Sequence, residues 1–419
     1  MKRLLNKLGG NLVAQAIAAL SNFALSVLIA RSLDKAAFGS FAMAYVVYGI
    51  AFAAMKAVVG QPLQIRFSAA EPEELHRRTG HAMGATLGLS IVVAAVVAVV
   101  GWALGGTTGQ ALVVLAVWLP ALLLQDSCRM AFFAYQLPWR AAIVDTVWAV
   151  VQFGLLALLI AAGTPSLGWL MSAWGIGAVA SAVAGLLLLR VVPRIAETFT
   201  WLREQATLSR YLLAEYILGL GAVQVGTLLI GFILAPAAVG SLRAAQVLLG
   251  PLQIVSTASF QFTVPEIARH TGWPARRLLG FAGAVAAGLL FVHVVYVVAL
   301  LVMPDAWGHF LFADSWRGGA LVLLPMGIAA CLSCLANPPA GVLYGLGKAR
   351  VTFRINMLKA PIILVLLLSG TFLFGVVGSA WAFVSIEAII LPFWILALVQ
   401  ASRRPRRMLA DEAGEADKG

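Results

Sequence analysis

The chain has 419 residues, 62% hydrophobic and only 11% charged, with a mean hydropathy of +0.95. So little polar surface cannot coat a soluble globule of this length, and the composition is that of a polytopic membrane protein. The net charge of +12 would raise nucleic-acid binding in a soluble chain, but here the basic residues fall where membrane topology requires them, so no nucleic-acid partner is expected.

About twelve apolar segments are long enough to cross roughly 30 Å of hydrocarbon. They lie near 11–30, 38–59, 81–104, 110–135, 141–162, 167–189, 209–234, 239–262, 278–303, 318–344, 351–374 and 376–400. The runs are too long and too uniformly apolar for barrel strands, and backbone groups in lipid must be satisfied within a segment, so all are read as helices. The first run follows a basic Met1-Lys2-Arg3 start, but it is too long for a signal peptide and lacks a small-residue cleavage pattern before Arg31. It carries Asn11, Gln15, Asn22 and Ser26 close to one face, which is expected to border a hydrated cavity.

After the first helix, Leu33-Asp34-Lys35-Ala36-Ala37-Phe38-Gly39-Ser40 finds a faint copy in Leu234-Ala235-Pro236-Ala237-Ala238-Val239-Gly240-Ser241, a spacing of 201 (240 minus 39). Pro62 and Arg66 recur as Pro265 and Arg269 at 203 (265 minus 62), and Arg140 corresponds to Arg350. The expected fold is all-α, with two pseudo-symmetric six-helix halves around a central cavity, the arrangement that rocks between two faces in carriers. The expected boundaries are a first half at 1–190, a cytoplasmic linker at 191–208, a second half at 209–402 and a tail at 403–419. The linker, with Arg190, Arg194, Glu197, Arg203 and Glu204 at or near it, reads as solvated or interfacial, and the tail with Asp411, Glu412 and Glu415 as disordered.

Lysine and arginine fix the orientation. Lys2, Arg3, Lys7, Arg66, Arg77, Arg78, Arg140, Arg190, Arg194, Arg203, Arg269, Arg276, Arg277, Lys348, Arg350, Arg354, Arg403, Arg404, Arg406 and Arg407 mark one set of gaps, against Arg31, Lys35 and Arg317 in the other. Both termini are therefore expected in the cytoplasm, with an even number of spans.

Within the spans, the eighth segment carries Arg243, Gln246, Gly250, Gln253, Thr257 and Gln261 at steps of three and four. Its counterpart in the second segment is Tyr45, Tyr48, Phe52 and Lys56. Interhelical hydrogen bonding explains such stripes at about 0.6–2 kcal/mol per contact. Their equivalence in both halves favours a cavity. Lys56 and Arg243 lack an acidic neighbour in sequence and are the leading candidates for holding an anion from opposite halves; Lys359 either joins them or snorkels to the cytoplasmic face. Asp126 and Arg129, three apart, form either a local ion pair or part of the site. Glu387, near the middle of the last segment, either couples transport to protons or pairs with a neighbour, whereas Asp145 and Glu215 are read as solvated or paired structural groups.

Cys128, Cys331 and Cys334 read as buried apolar cysteines, and the five histidines are dispersed, so neither metal nor nucleotide chemistry has a visible carrier and no cofactor is expected. Prolines at 120, 251, 325, 338, 339, 361 and 392 can kink helices, and Gly84-x-x-x-Gly88 and Gly341-x-x-x-Gly345 read as packing sites.

The stretch Leu28-Ile29-Ala30-Arg31-Ser32-Leu33-Asp34-Lys35-Ala36-Ala37-Phe38-Gly39-Ser40-Phe41-Ala42, together with Tyr344-Gly345-Leu346-Gly347-Lys348-Ala349-Arg350, resembles the multidrug/oligosaccharidyl-lipid/polysaccharide (MOP) exporter superfamily, and within it the polysaccharide or O-antigen flippase branch. The second copy departs from the pattern by losing the acidic and basic turn residues, and the chain lacks the additional helices of some relatives. The resemblance implies a non-enzymatic flippase of the bacterial inner membrane. It would move a polyprenyl-diphosphate-linked oligosaccharide to the periplasmic leaflet for lipopolysaccharide or exopolysaccharide synthesis, with membrane lipids and polysaccharide-assembly proteins as partners. On that basis Lys56 and Arg243 attract the diphosphate, with Arg129 and Lys359 as further cations. Gln246, Gln253, Gln261, Asn22 and Tyr45 contact the glycan, and Asp126 and Glu387 serve coupling. The alternatives are a cation-coupled multidrug exporter of the same fold, relying on Asp126, Glu215 and Glu387, and a membrane polysaccharide polymerase or glycosyltransferase. The latter is disfavoured by short outer loops, the longest near 304–317.

Overall fold

The two copies of the repeated motif start helices by different devices. Asp34 caps α2 (Lys35–Met55), its Oδ1 accepting from the amides of Ala36 and Ala37 at 2.8 Å each, an arrangement worth about 1 kcal/mol. In the second copy Pro236 is the first residue of α10 (Pro236–Arg269), where a missing amide hydrogen costs nothing and φ is preset. Beyond these starts the copies agree: Ser40 Oγ bonds the Ala36 carbonyl and Ser241 Oγ the Ala237 carbonyl, both at 3.0 Å. They also touch. A Cβ on Gly39 would overlap the Pro236 carbonyl, so the crossing requires glycine there, and one on Gly240 would lie a tight 3.2 Å from the Gly39 Cα.

The structure is a computed structural model describing the backbone of residues 2–270 and 272–403 and the side chains of residues 17–270 and 272–403. Lys2, Arg3, Lys7, Asn11, Gln15 and the tail from Arg404 onward, including Asp411, Glu412 and Glu415, are outside the described side chains. Among the described residues there is no strand. The remaining helices are α1 (Lys2–Ser32), α3 (Gln61–Phe67), α4 (Pro72–Leu104), α5 (Gly106–Ala134), α6 (Pro138–Ala161), α7 (Leu167–Leu189), α8 (Thr198–Tyr216), α9 (Ala222–Ile233), α11 (Ala275–Leu301), α12 (Asp305–Phe312), α13 (Trp316–Gly345) and α14 (Ala349–Arg403). Among the described residues, ten helices or helix runs are long and apolar enough to cross a membrane, and Ile17–Ser32 adds a shorter apolar helix. The protein is a multi-pass, all-helical membrane protein.

The run from α2 to α3 passes through a π turn, Lys56–Gly60. Such a widened turn frees carbonyls from the α-helical ladder. The Val58 carbonyl accepts from Trp201 Nε1 and Ser209 Oγ of α8, both at 3.2 Å. Helix α8 and the segment leading to it are not a free linker. Arg194 donates its amide to the Gly80 carbonyl at 3.0 Å, Thr198 Oγ1 bonds the Gly84 carbonyl at 3.2 Å, and a Cβ on Gly84 would overlap the Arg194 backbone. The small-residue site of α4 therefore receives an extended strap. The expected loop near 304–317 holds the short helix α12.

Helix α14 is 55 residues long, but Gly375 has φ 63° and ψ −147°. Thr371 Oγ1 and Ser379 Oγ meet at 2.8 Å although residues eight apart in a continuous helix stand about 12 Å apart, so the chain reverses at Gly375. Its register partner is Gly163 (φ 69°), in the turn between α6 and α7, at a spacing of 212 (375 minus 163).

The helices pack as two compact units. The first comprises Met1–Leu248 and Pro304–Val322, with α5 packed on α2, α4, α6 and α7 around Phe38, Phe41, Met83, Leu115, Phe132 and Trp174. The second comprises Leu249–Met303 and Leu323–Gly419, where α11 packs on α14 and apolar clusters form around Ile267, Leu278 and Val342 and around Leu343, Ile390 and Trp394. In this unit Gly345 lies against Ile267, as its packing-site reading expects. Each place where the chain passes between units has a proline within three residues: Pro251 after Leu248, Pro304 after Met303 and Pro325 after Val322.

Candidate functional site

Tyr45, Tyr48, Phe52 and Lys56 follow one another at steps of three and four, which puts them along one side of α2. Tyr45 and Tyr48 are 5.8 Å apart between ring centroids, and Tyr48 and Phe52 5.7 Å. Buried Trp174 of α7 backs the row, stacked on Tyr45 at 5.9 Å and edge-on to Tyr48 at 4.9 Å.

One end of this row meets Arg243. Its guanidinium lies 3.9 Å from the Tyr45 ring centroid and donates from Nη2 to Ser26 Oγ at 3.1 Å, while Tyr45 donates its hydroxyl to Asn22 Oδ1 at 3.2 Å. Arg243 Nε is buried without an acceptor, and among the described residues no carboxylate stands within 4 Å of the side chain. A cation inside a membrane helix costs roughly 3 kcal/mol even on the lowest scale, and an aromatic face returns only about 0.5–2 kcal/mol. The balance favours an arriving anion. A cavity of about 150 Å³ opens beside it, lined by Ala42, Tyr45, Gln224, Thr227, Arg243 and Gln246. Drug-sized sites run to roughly 300–1,000 Å³, so this one accepts a charged group or part of a sugar ring and not a whole oligosaccharide.

The other end of the row is Lys56, first residue of the π turn. Its Nζ lies 6.0 Å from the Phe52 centroid, and among the described residues it has no carboxylate within 4 Å. Asp126 is within electrostatic reach of it.

Asp126, Arg129, Asp145, Lys359 and Glu387 are paired. Arg129 Nε meets Asp145 Oδ2 of α6 at 3.1 Å, its Nη1 is 4.0 Å from Asp126 Oδ1, and Gln125 donates to Asp145 Oδ1 at 3.1 Å. The better partner of Arg129 is thus on the next helix and not three residues away, and Asp145 is paired as expected. In the second unit Lys359 Nζ and Glu387 Oε1 meet at 2.7 Å, joining the two arms of α14, so each neutralises the other. Gln246 lines the cavity, whereas Gln253, Thr257 and Gln261 are exposed on the part of α10 that belongs to the second unit.

Sequence reasoning missed Gln224 and Thr227, both polar residues inside an apolar segment and so visible in principle, and Trp174, whose role depends on packing alone. Cys128 and Cys334 are buried and Cys331 partly exposed; among the described residues no group of histidine, cysteine and acidic side chains could hold a metal ion.

No family model matches the chain, and no curated protein matches its sequence. Solved structures do match. The lipid II flippase MurJ in an inward closed conformation aligns with a TM-score of 0.70 at 10% identity, over 93% of this chain and 89% of that one. A multidrug resistance MATE family transporter of the MOP superfamily, facing inward, gives 0.70 at 13% identity over 94% and 98%. A MOP superfamily transporter from Pyrococcus furiosus, for which a binding pocket of reverse polarity suggests a different function, gives 0.64 at 11% identity over 96% and 94%. Identities this low speak to fold. The chain has the fold of MOP-type transporters, and these structural neighbours are transporters and not enzymes.

Proposed function

We propose that the chain is a flippase that moves a polyprenyl-diphosphate-linked oligosaccharide from the cytoplasmic to the periplasmic leaflet of a bacterial inner membrane by alternating access, for surface polysaccharide synthesis. The observation that carries this reading is Arg243: a cation inside a membrane helix, held by a ring and a hydroxyl, with a buried donor still vacant and a cavity beside it. A phosphate oxygen supplies what that guanidinium lacks. Gln246, Gln224, Thr227, Tyr45 and Asn22 are hydrogen-bonding groups at or beside the same place, suited to sugar hydroxyls. That MurJ, a lipid II flippase, shares the fold supports a lipid-linked substrate.

On this reading the chain has twelve spans, α1 and the two arms of α14 included, in halves at 1–190 and 209–402, with the linker, tail and both termini cytoplasmic and polysaccharide-assembly proteins as partners. Arg129 and Lys359 have carboxylate partners in the present state and reach substrate only if those pairs open, and Asp126 and Glu387 would act in coupling through the same pairs. Gln253 and Gln261 remain glycan contacts in the proposal.

A second reading, a cation-coupled multidrug exporter, draws on one observation: Asp126 and Asp145 share the single guanidinium of Arg129. Deleting the gene and measuring lipid-linked glycan in each leaflet, with surface polysaccharide in the same cells, separates the two. The flippase reading expects complete glycan-lipid stranded on the cytoplasmic face. Normal glycan distribution with heightened sensitivity to cationic dyes would establish the exporter instead.

A further inference from the structure

Lys56 and Arg243 stand at opposite ends of one aromatic row, and the row sets their separation. Arg243 lies over the Tyr45 ring and the Lys56 Nζ is 6.0 Å from the Phe52 centroid, and these two rings are seven residues (52 minus 45) apart along α2, an axial distance of ~10 Å at 1.5 Å per residue. The two cations therefore rest on different rings of the row, with Tyr48 between them.

Both cations share a second property. Each rests on a ring, Arg243 on Tyr45 and Lys56 on Phe52, and neither has a carboxylate within 4 Å among the described residues. A ring face holds a cation weakly enough for an anion to displace it, which a carboxylate does not. Between them Tyr48 and Phe52 continue the row at ring spacings under 6 Å, and the Gln224 amide approaches α2 at Gly49, where the absent side chain leaves it room. The interval thus offers apolar ring surface for sugar C–H groups and an amide for their hydroxyls.

We propose that Lys56 and Arg243 are two successive anion stations on one path along α2: Lys56, nearer the basic end of the helix run, takes the diphosphate first, and Arg243 receives it two rings further on. This rests on the flippase reading and gives it an order of events. A single deep site would hold its anion too tightly to release it; two weakly neutralised sites let each step stay shallow.

The test uses the full-length protein in proteoliposomes with a fluorescent polyprenyl-diphosphate disaccharide as probe, measuring loading from the basic side and, separately, single-turnover transfer of preloaded probe. K56Q is expected to weaken loading about tenfold while transfer of bound probe stays within about twofold. R243Q is expected to load within about twofold of the parent and to transfer about 50-fold more slowly, with the two effects multiplying in the double variant. K56R and R243K, which keep the charge, should restore most of each step and show that the neutral variants did not merely misfold. Equal, non-additive losses of loading in both neutral variants would mean one shared site and would overturn the relay while leaving a diphosphate-lipid substrate intact. Unchanged loading and transfer in both would overturn the relay and the flippase reading together.

Discussion

Two cations within membrane helices, Arg243 and Lys359, are treated in opposite ways. Lys359 is matched to Glu387 at 2.7 Å and ties together the two arms of α14, whereas Arg243 is given a ring, a hydroxyl and no carboxylate. A charge held by its counterion is satisfied and tends to serve the scaffold; a charge left short of a counterion is held ready for one that arrives. The same contrast runs inside the first unit between Arg129, clasped by Asp145, and Lys56 on its ring. Compensation, and not the mere presence of charge in a span, separates candidate binding residues from structural ones.

The largest expected effect comes from removing the uncompensated charge. R243Q should slow transport of a diphosphate-linked glycan by roughly 50-fold, the equivalent of about 2–3 kcal/mol for a charged hydrogen bond, without lowering the melting temperature in detergent. A variant that transports normally but melts early would reverse the assignment. E387Q should do the opposite, costing about 3 kcal/mol of stability by stranding Lys359, with most of it regained in K359Q/E387Q; thermal unfolding of the three proteins decides this. Lost transport in E387Q at unchanged stability would make the pair a coupling device and erase the contrast. Gly39→Ala probes the frame that positions Arg243, and the overlap with the Pro236 carbonyl should cost about 2 kcal/mol, read as a lower melting point and reduced yield. Smallest is Tyr45→Phe, which keeps the ring under Arg243 and removes only the bond to Asn22; about 0.6 kcal/mol is expected, visible as a marginal change in probe affinity. A large loss there would show that the hydroxyl, and not the ring, matters.

How much of this was legible beforehand follows from the range of the interactions. Helix placement came from runs of apolar residues, a local signal, and even the break at Gly375 fell where the gap between expected spans placed it. The stripe from Tyr45 to Lys56 was legible for the same reason, since helical periodicity fixes which residues share a face. Arg129 was not: a sequence shows Asp126 three positions away but not Asp145, brought in by the α5–α6 hairpin. Glu387 was left between coupling and pairing with a neighbour, and Lys359 between the site and the cytoplasmic face, because 28 positions separate them and only the reversal of α14 makes them a pair. The linker read as solvated or interfacial because its arginines are plain in the sequence, while the glycine-lined groove of α4 that receives it is a shape and leaves no mark in composition. Helix α12 was hidden in a segment read as a loop.

The crossing of Gly39 and Gly240 has a mechanical consequence. Where two backbones touch, neither can move toward the other, so a tilt of α2 against α10 pivots about that point, and the glycine pair becomes the fulcrum of a lever whose arm is α2. Lys56 stands seventeen residues (56 minus 39) down that arm, about 25 Å away, while Tyr45 stands only six residues (45 minus 39), about 9 Å away. A tilt of about ten degrees would carry Lys56 sideways by about 4 Å and Tyr45 by less than half as much. The far end of the lever therefore sweeps while the near end barely moves, so in the proposed relay Lys56 is the station that travels and Arg243 the one that meets a nearly stationary wall.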